Sequence, residues 1–348
     1  MSNSIKVECI FLDVSFETEK DTEGDSLRET LDNVLGYSCC AARARLSKSN
    51  DVKSQKGDDE SVEKMKRDIL KFIKIQDRYL ALASILLKSH AFHETYPEAG
   101  STGRHLIIDL PRTRHRKPYI PWGDSSALPG SEKEVNRYPL SISHQFPFAG
   151  SSRIKATEQS SLLVGLDIVV FEDFNPRMYD STQEFIEVFR ESFTVWEWES
   201  IESASAKADD EDGFAMLREF YLKWSVKEAY TKASGVGLGF NFATFETRLD
   251  NHIHSLWEMV SSLDSETNVV GTVVANPGTR ESRSERWRFL FNPLYDGEGK
   301  RATDSDCKMT GCACVCVGPL PSDADIVVDF QIQASSLEQL IVEPRHRT

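Results

Sequence analysis

Asp167, Glu228 and Lys232 are the residues of this chain whose types and positions best suit chemistry. Phe214, Leu217, Tyr221 and Trp224 recur at the 3-4-3 spacing of one helical face, and Glu228 is the next position on it. A carboxylate on an apolar stripe is costly unless a cation or hydrogen-bond donors meet it. Lys232, one turn on, is a candidate partner. Two readings stand. Either Glu228 and Lys232 form an ordinary surface pair adding about 0.2–0.5 kcal/mol, or Glu228 points inward and something awaits it. Gly235, Gly237 and Gly239 then close the helix. This glycine run follows a helix instead of joining a strand to one, so it is no dinucleotide fingerprint. Nor does a Lys-Ser/Thr pair complete a P-loop.

The second acid, Asp167, lies in Leu162–Phe171, a continuous apolar run rich in β-branched residues. Such a run reads as a strand buried on both faces. Asp167 there either accepts backbone N–H bonds or caps a turn, or it joins Glu228 in holding a divalent cation. Mg²⁺ commonly takes one or two carboxylates plus phosphates and water. A third patch follows the same logic. Pro139–His144 alternates like a strand and ends in Ser143 and His144. Before it, Arg104–Trp122 carries Arg104, Arg112, Arg114, Arg116 and Lys117 against the single acid Asp109, in a chain of net charge -14. This basic island is an anion site or a solvated loop.

These pieces, in this order, resemble the 4′-phosphopantetheinyl transferase superfamily, in particular its Sfp-type members and among them the eukaryotic, fungal broad-range enzymes. The resemblance rests on Lys117-Pro118 with Tyr119-Ile120-Pro121, Ser141-Ile142-Ser143-His144, Val164-Gly165-Leu166-Asp167-Ile168, and Phe193-Thr194 with Glu197-Trp198. It is completed by Trp224-Ser225-Val226-Lys227-Glu228-Ala229-Tyr230-Thr231-Lys232 and Gly235-Val236-Gly237-Leu238-Gly239-Phe240. It covers roughly residues 105–245.

The resemblance implies transfer of 4′-phosphopantetheine from coenzyme A to a serine of an acyl or peptidyl carrier domain. The carriers belong to fatty acid, polyketide and nonribosomal peptide synthases and to the aminoadipate reductase of lysine synthesis. Adenosine 3′,5′-bisphosphate is released. It casts Asp167 and Glu228 as Mg²⁺ ligands, with Mn²⁺ suiting the same oxygens. It also implies Glu228 as the general base, or as the holder of a water that is, and Lys232 as a contact to the pyrophosphate that stabilises or protonates the leaving group. Ser143 and His144 match phosphate contacts, and Lys117 lies in the coenzyme-binding segment. Phosphoryl transfer depends on positioning and charge neutralisation, which these types supply. Two departures stand out. Bacterial members carry a third acid where this chain has Val169, and many members have glycine where it has Arg116. Arg116 either adds a phosphate contact or points to solvent. For the coenzyme's 3′-phosphate, Arg67 is the choice among Lys64, Lys66 and Arg67, which precede an apolar helix containing Phe72, Ile75, Tyr79 and Leu82; a plain solvated helix start is the alternative.

To position these residues, the resemblance implies an α+β fold. The family pattern is two similar α/β halves related by a pseudo-two-fold, with the active site in the cleft between them. The expected division is 1–158, binding coenzyme A, and 159–348, binding Mg²⁺ and catalytic. A chain of 348 residues can bury two cores. Lys48–Glu63 is expected to be a disordered polar insertion. The second half is expected to hold a helix over 182–203, the Glu228 helix, and strands near Trp257–Ser261, Asn268–Val274, Arg286–Phe291 and Cys314–Val317, with a last strand near Ile326–Gln333. Cys312, Cys314 and Cys316 alternate and should face one side of a strand as small buried residues. The odd total of seven cysteines argues against a disulfide framework. No apolar run reaches 18 residues and no secretory signal is read. The expectation is a cytoplasmic monomer with no nucleic-acid or membrane partner. Two other functions fit the same residues: a carrier-binding module without catalysis, and another Mg²⁺-dependent enzyme acting on a nucleotide pyrophosphate.

Overall fold

The computed structural model describes residues 4–20, 25–35, 40–41, 55–97, 107–121, 137–155, 162–172, 177–207, 214–236, 240–249, 255–262, 266–295, 309–321 and 327–342. Two compact units emerge. The first comprises Ile5–Ser160 with Asp329–Thr348, and the second Ser161–Val328 with Met1–Ser4. The C-terminal segment thus belongs with the first unit, where the sequence pattern keeps it in the second.

The first unit is built on β1 (Ser4–Asp13), helices α1 (Gln55–Leu70) and α2 (Ile75–Thr95), and the hairpin β2 (Leu140–Gln145) and β3 (Phe148–Lys155). Its sheet runs in the order Val327–Ser335, β1, β3, β2. β1 pairs antiparallel with β3 from Lys6↔Lys155 to Asp13↔Phe148. Ile10, Leu12 and Ala149 meet Leu82, Ala83 and Leu86 of α2 to form the core. Across the two central strands Glu8 takes the guanidinium of Arg153 and the ammonium of Lys155, the latter at 2.7 Å. Burial pushes the Glu8 carboxyl up, but these two cations outweigh it and hold it below its ordinary value.

α1 corrects one expectation. Residues 55–63 are helical instead of disordered; Lys64, Lys66 and Arg67 do precede the apolar helix α2, but from inside a helix of their own. Val62, Met65 and Ile69 supply the reason, since their 3-4 spacing docks an otherwise charged segment on the core. Residues 48–54 lie outside the described residues.

The second unit carries β4 (Leu163–Val170), helices α3 (Val195–Lys207) and α4 (Phe214–Ser234), β5 (Phe245–Leu249), helix α5 (Leu256–Ser261), β6 (Thr267–Ala275), β7 (Arg283–Tyr295) and β8 (Met309–Leu320). The sheet order is β4-β8-β7-β6-β5, antiparallel throughout. β4 is buried along almost its whole length, as its unbroken apolar run demands. Cys312, Cys314 and Cys316 are buried thiols outside any disulfide, and pack in the core with Leu222, Val226 and Ala229 of α4.

Three details differ from the sequence reading. Leu256–Ser261 is a helix, because Ser255 caps it by accepting from the N–H of Glu258 at 3.1 Å. The helix expected over 182–203 is broken into Thr182–Glu187, a short 3-10 turn and α3. Lastly, α4 is not simply amphipathic. Arg218, Glu219, Lys223 and Lys227 are buried alongside Leu217 and Phe220, whereas Phe214 is exposed.

Candidate active site

α4 lies along β4 and β8, and Gly165 sets how closely. A Cβ on Gly165 would stand 1.9 Å from the backbone oxygen of Ala229 and 2.6 Å from the nitrogen of Ala233. Only glycine lets strand and helix touch backbone to backbone there. Asp167 is two residues along, on the same strand face as Gly165. Glu228 precedes Ala229 in the helix, and Lys232 follows Glu228 by one turn. The contact thereby gathers the three residues singled out from the sequence.

Within this cluster Lys232 Nζ donates to Asp167 Oδ1 at 2.6 Å. Asp167 and Glu228 are buried, while the Lys232 side chain keeps 31% of its surface open. Burial pushes the Glu228 carboxyl above the ordinary carboxylate range and the charge of Asp167 adds to it; Lys232 opposes both. So Glu228 faces inward and feels a second acid. Two carboxylates against one ammonium leave an excess of negative charge, a donor set of oxygens that fits a hard divalent cation. Among the described residues no group of three or more His, Cys, Asp and Glu could hold a metal alone. Such an ion would therefore draw its other ligands from substrate phosphate or water. Val169, at the position of the missing third acid, is buried in the core with α4, and Glu172 instead lends its backbone oxygen to Tyr221.

A second charged centre sits one residue before Glu228. Lys227 is wholly buried and donates to Glu197 Oε2 (2.8 Å) and to the backbone oxygens of Phe242 (2.9 Å) and Phe245 (2.8 Å). Glu197 also closes a capping box at the start of α3, accepting from the N–H of Thr194 at 3.1 Å while its own N–H donates to Thr194 Oγ1 at 3.4 Å. Its other oxygen accepts from the N–H and hydroxyl of Thr247 at 3.0 and 3.1 Å. This network fixes helix α4 to α3 and β5. Phe193 and Trp198 are buried with Phe220, in accord with a packing role.

The first unit holds a cavity of about 690 Å³. Lys64, Lys88, Arg112, Arg116 and His144 reach its wall, with Asp68, Asp77 and Asp109. Arg116 and His144 thus line the same cavity. Ser143 is buried beside His144 but, like Lys117 and Arg67, does not line the cavity; Lys64 does, three positions before an exposed Arg67. Ser84 Oγ gives its proton to Leu80 O (2.9 Å), so it accepts from Nδ1–H of His144 (3.0 Å). Lys88 was not anticipated, although it interrupts the apolar Ile85-Leu86-Leu87 as Glu228 interrupts its own stripe. Arg116 has a positive φ of 65° within the turn closed by Arg116 N–H to Thr113 O at 2.9 Å. Of the glycine run after α4, residues 237–239 lie outside the described residues.

Comparison with known proteins points the same way. Residues 163–264 match the family described as the 4′-phosphopantetheinyl transferase superfamily, bearing out the resemblance read from the motifs. The chain is 34% identical over 199 residues to the L-aminoadipate-semialdehyde dehydrogenase-phosphopantetheinyl transferase of Homo sapiens, covering 57% of this chain and 56% of that protein. It is 33% identical over 143 residues to a phosphopantetheinyl transferase of Thraustochytrium sp., covering 41% and 43%. With 4′-phosphopantetheinyl transferase A of Aspergillus fumigatus it shares 27% identity over 205 residues, covering 49% and 55%. The chain spans about half the length of the relatives it matches. No described helix is long and apolar enough to cross a membrane.

Proposed function

We propose that this protein transfers 4′-phosphopantetheine from coenzyme A to the serine of acyl and peptidyl carrier domains, converting the apo carrier to its holo form. One observation carries the reading: Asp167, Glu228 and Lys232 converge across the Gly165 contact, inside the segment that matches the transferase family. Relatives named for aminoadipate-semialdehyde dehydrogenase support a carrier of that type as one expected substrate.

Asp167 and Glu228 are the residues that would hold Mg²⁺, which when bound neutralises phosphate charge. The chain's own groups do the rest. Glu228, whose carboxyl burial pushes up, accepts the proton of the carrier serine hydroxyl, directly or through a water. The serine oxygen bonds to the phosphorus nearer the pantetheine. The bond from that phosphorus to the bridging oxygen breaks, and adenosine 3′,5′-bisphosphate departs with the electron pair. Lys232 offers its ammonium to the charge that grows on the departing oxygen. Arg116, His144 and their neighbours in the first unit's cavity meet coenzyme phosphate. The pseudo-two-fold, the cleft, a monomeric state and a cytoplasmic setting form part of the same proposal.

The test is the intact mass of an apo carrier domain after incubation with the protein, coenzyme A and Mg²⁺, with EDTA as control. A gain of one phosphopantetheine, abolished by EDTA, is expected. No gain across several carrier types, with coenzyme A still bound, would leave a carrier-binding module; coenzyme A consumed without a carrier would mark a pyrophosphate-cleaving enzyme.

A further inference from the structure

We infer that Lys88 is a phosphate-contact residue of the first unit's cavity, and that loss of its proton releases the anion held there. The inference rests on the transferase reading for the ligand it names, but its geometry belongs to this chain. Leu80, Ser84 and Lys88 follow at four-residue intervals along α2 and all line the cavity, with Ala81 and Ile85 beside them. An apolar helical stripe thus ends in an ammonium at the cavity wall. Among the described residues no hydrogen bond or ion pair holds that ammonium.

The charges facing it are mixed. Asp109 favours its charge and Arg112 opposes it. Lys64 and Asp68 face the cavity from α1, Asp77 from α2, Arg116 from the turn at 113–117, and His144 from β2. Cations outnumber acids, and Arg116 is held there at a backbone conformation that costs a non-glycine residue roughly 1–2 kcal/mol. Strain of this kind persists where a site uses it. With no carboxylate among the described residues in hydrogen-bond contact, the ammonium is open to an anion from outside. A phosphate monoester suits it, since its second ionisation lies near pH 6 and it stays doubly charged above neutrality.

Burial, and secondarily Arg112, press Lys88 down to about 8, Asp109 opposing. Below that pH the ammonium is charged and the anion is held. Above it, binding must first restore the proton, and affinity falls roughly ten-fold per pH unit until the pKa of the bound state is reached.

The probe is adenosine 3′,5′-bisphosphate, titrated calorimetrically into the full chain at pH 7.0, 8.0 and 9.5. The wild type is expected to weaken by roughly ten-fold or more between the last two. Lys88→Arg, charged throughout, should bind within a few-fold of wild type at pH 7.0 and keep that affinity at 9.5. Lys88→Met should bind about ten-fold or more weakly at pH 7.0 and show no such further loss. Circular dichroism checks that each variant is folded. A wild type whose affinity is flat from pH 8.0 to 9.5, or a Lys88→Met variant that binds like wild type, overturns the inference. The carrier-mass experiment separates the two proposals. Carrier modification with a Lys88-independent affinity sinks only the present one, whereas the Lys88 profile without carrier modification sinks only the transferase.

Discussion

Lys227 and Lys232 stand on the same helix, each against a carboxylate, and they are held in opposite ways. Lys227 and Glu197 are both fully buried, at 0% exposure. The lysine has three acceptors, and both oxygens of the glutamate are shared with Thr194 and Thr247. Lys232 also meets its acid, at 2.6 Å, but keeps 31% of its side chain open and leaves Glu228 nearby as a second negative charge. Where donors and acceptors balance, a charged pair serves as a fastener. Where they do not, and solvent reaches one member, the imbalance is available to a cation and to a reacting phosphate.

The largest expected effect is on the fastener. Lys227→Met strands Glu197 in the core and should lower stability by about 3–5 kcal/mol, read as a shift in urea midpoint. A double variant that also carries Glu197→Gln should recover part of that loss. If Lys227→Met unfolds at the wild-type midpoint, the two lysines are not different in kind. Next comes Gly165→Ala. Its added methyl meets the Ala229 carbonyl and should cost about 1–3 kcal/mol, while spreading Asp167 from Glu228, so carrier modification should fall further than stability alone explains. Asp167→Asn sharpens the contrast. Removing one of two crowded acids should change stability by less than about 1 kcal/mol, yet slow phosphopantetheine transfer by roughly 10²–10³-fold. A variant that transfers normally refutes the metal assignment. The smallest effect is expected for Arg116→Gly, which relieves the positive φ and should stabilise by up to about 1–2 kcal/mol while weakening coenzyme binding.

The Asp167–Glu228–Lys232 cluster was legible because an acid on an apolar stripe and an acid in an apolar strand are both local anomalies. Lys88 is the same anomaly with the opposite sign, hidden at the end of the apolar Ile85-Leu86-Leu87. The departure at Arg116 gains a physical meaning from the structure, since it stands at a positive φ that glycine would adopt at no cost. Two capping boxes were in plain text. Thr194-x-x-Glu197 is masked by the aromatic residues around it, and Ser255-x-x-Glu258 by a following stretch whose composition suits a strand. Helix α1 hid because three apolar residues carry it among charges. No local signal could have placed Val327–Ser335 beside β1, because that pairing is made by strands remote in sequence.

That pairing bears on how the protein is made. The first unit's sheet takes β1 from one end of the chain and its outer strand from the other. On the ribosome, residues 161–328 can collapse as an uninterrupted stretch while β1 still waits with one edge uncovered, and an uncovered edge is where strands of different chains pair.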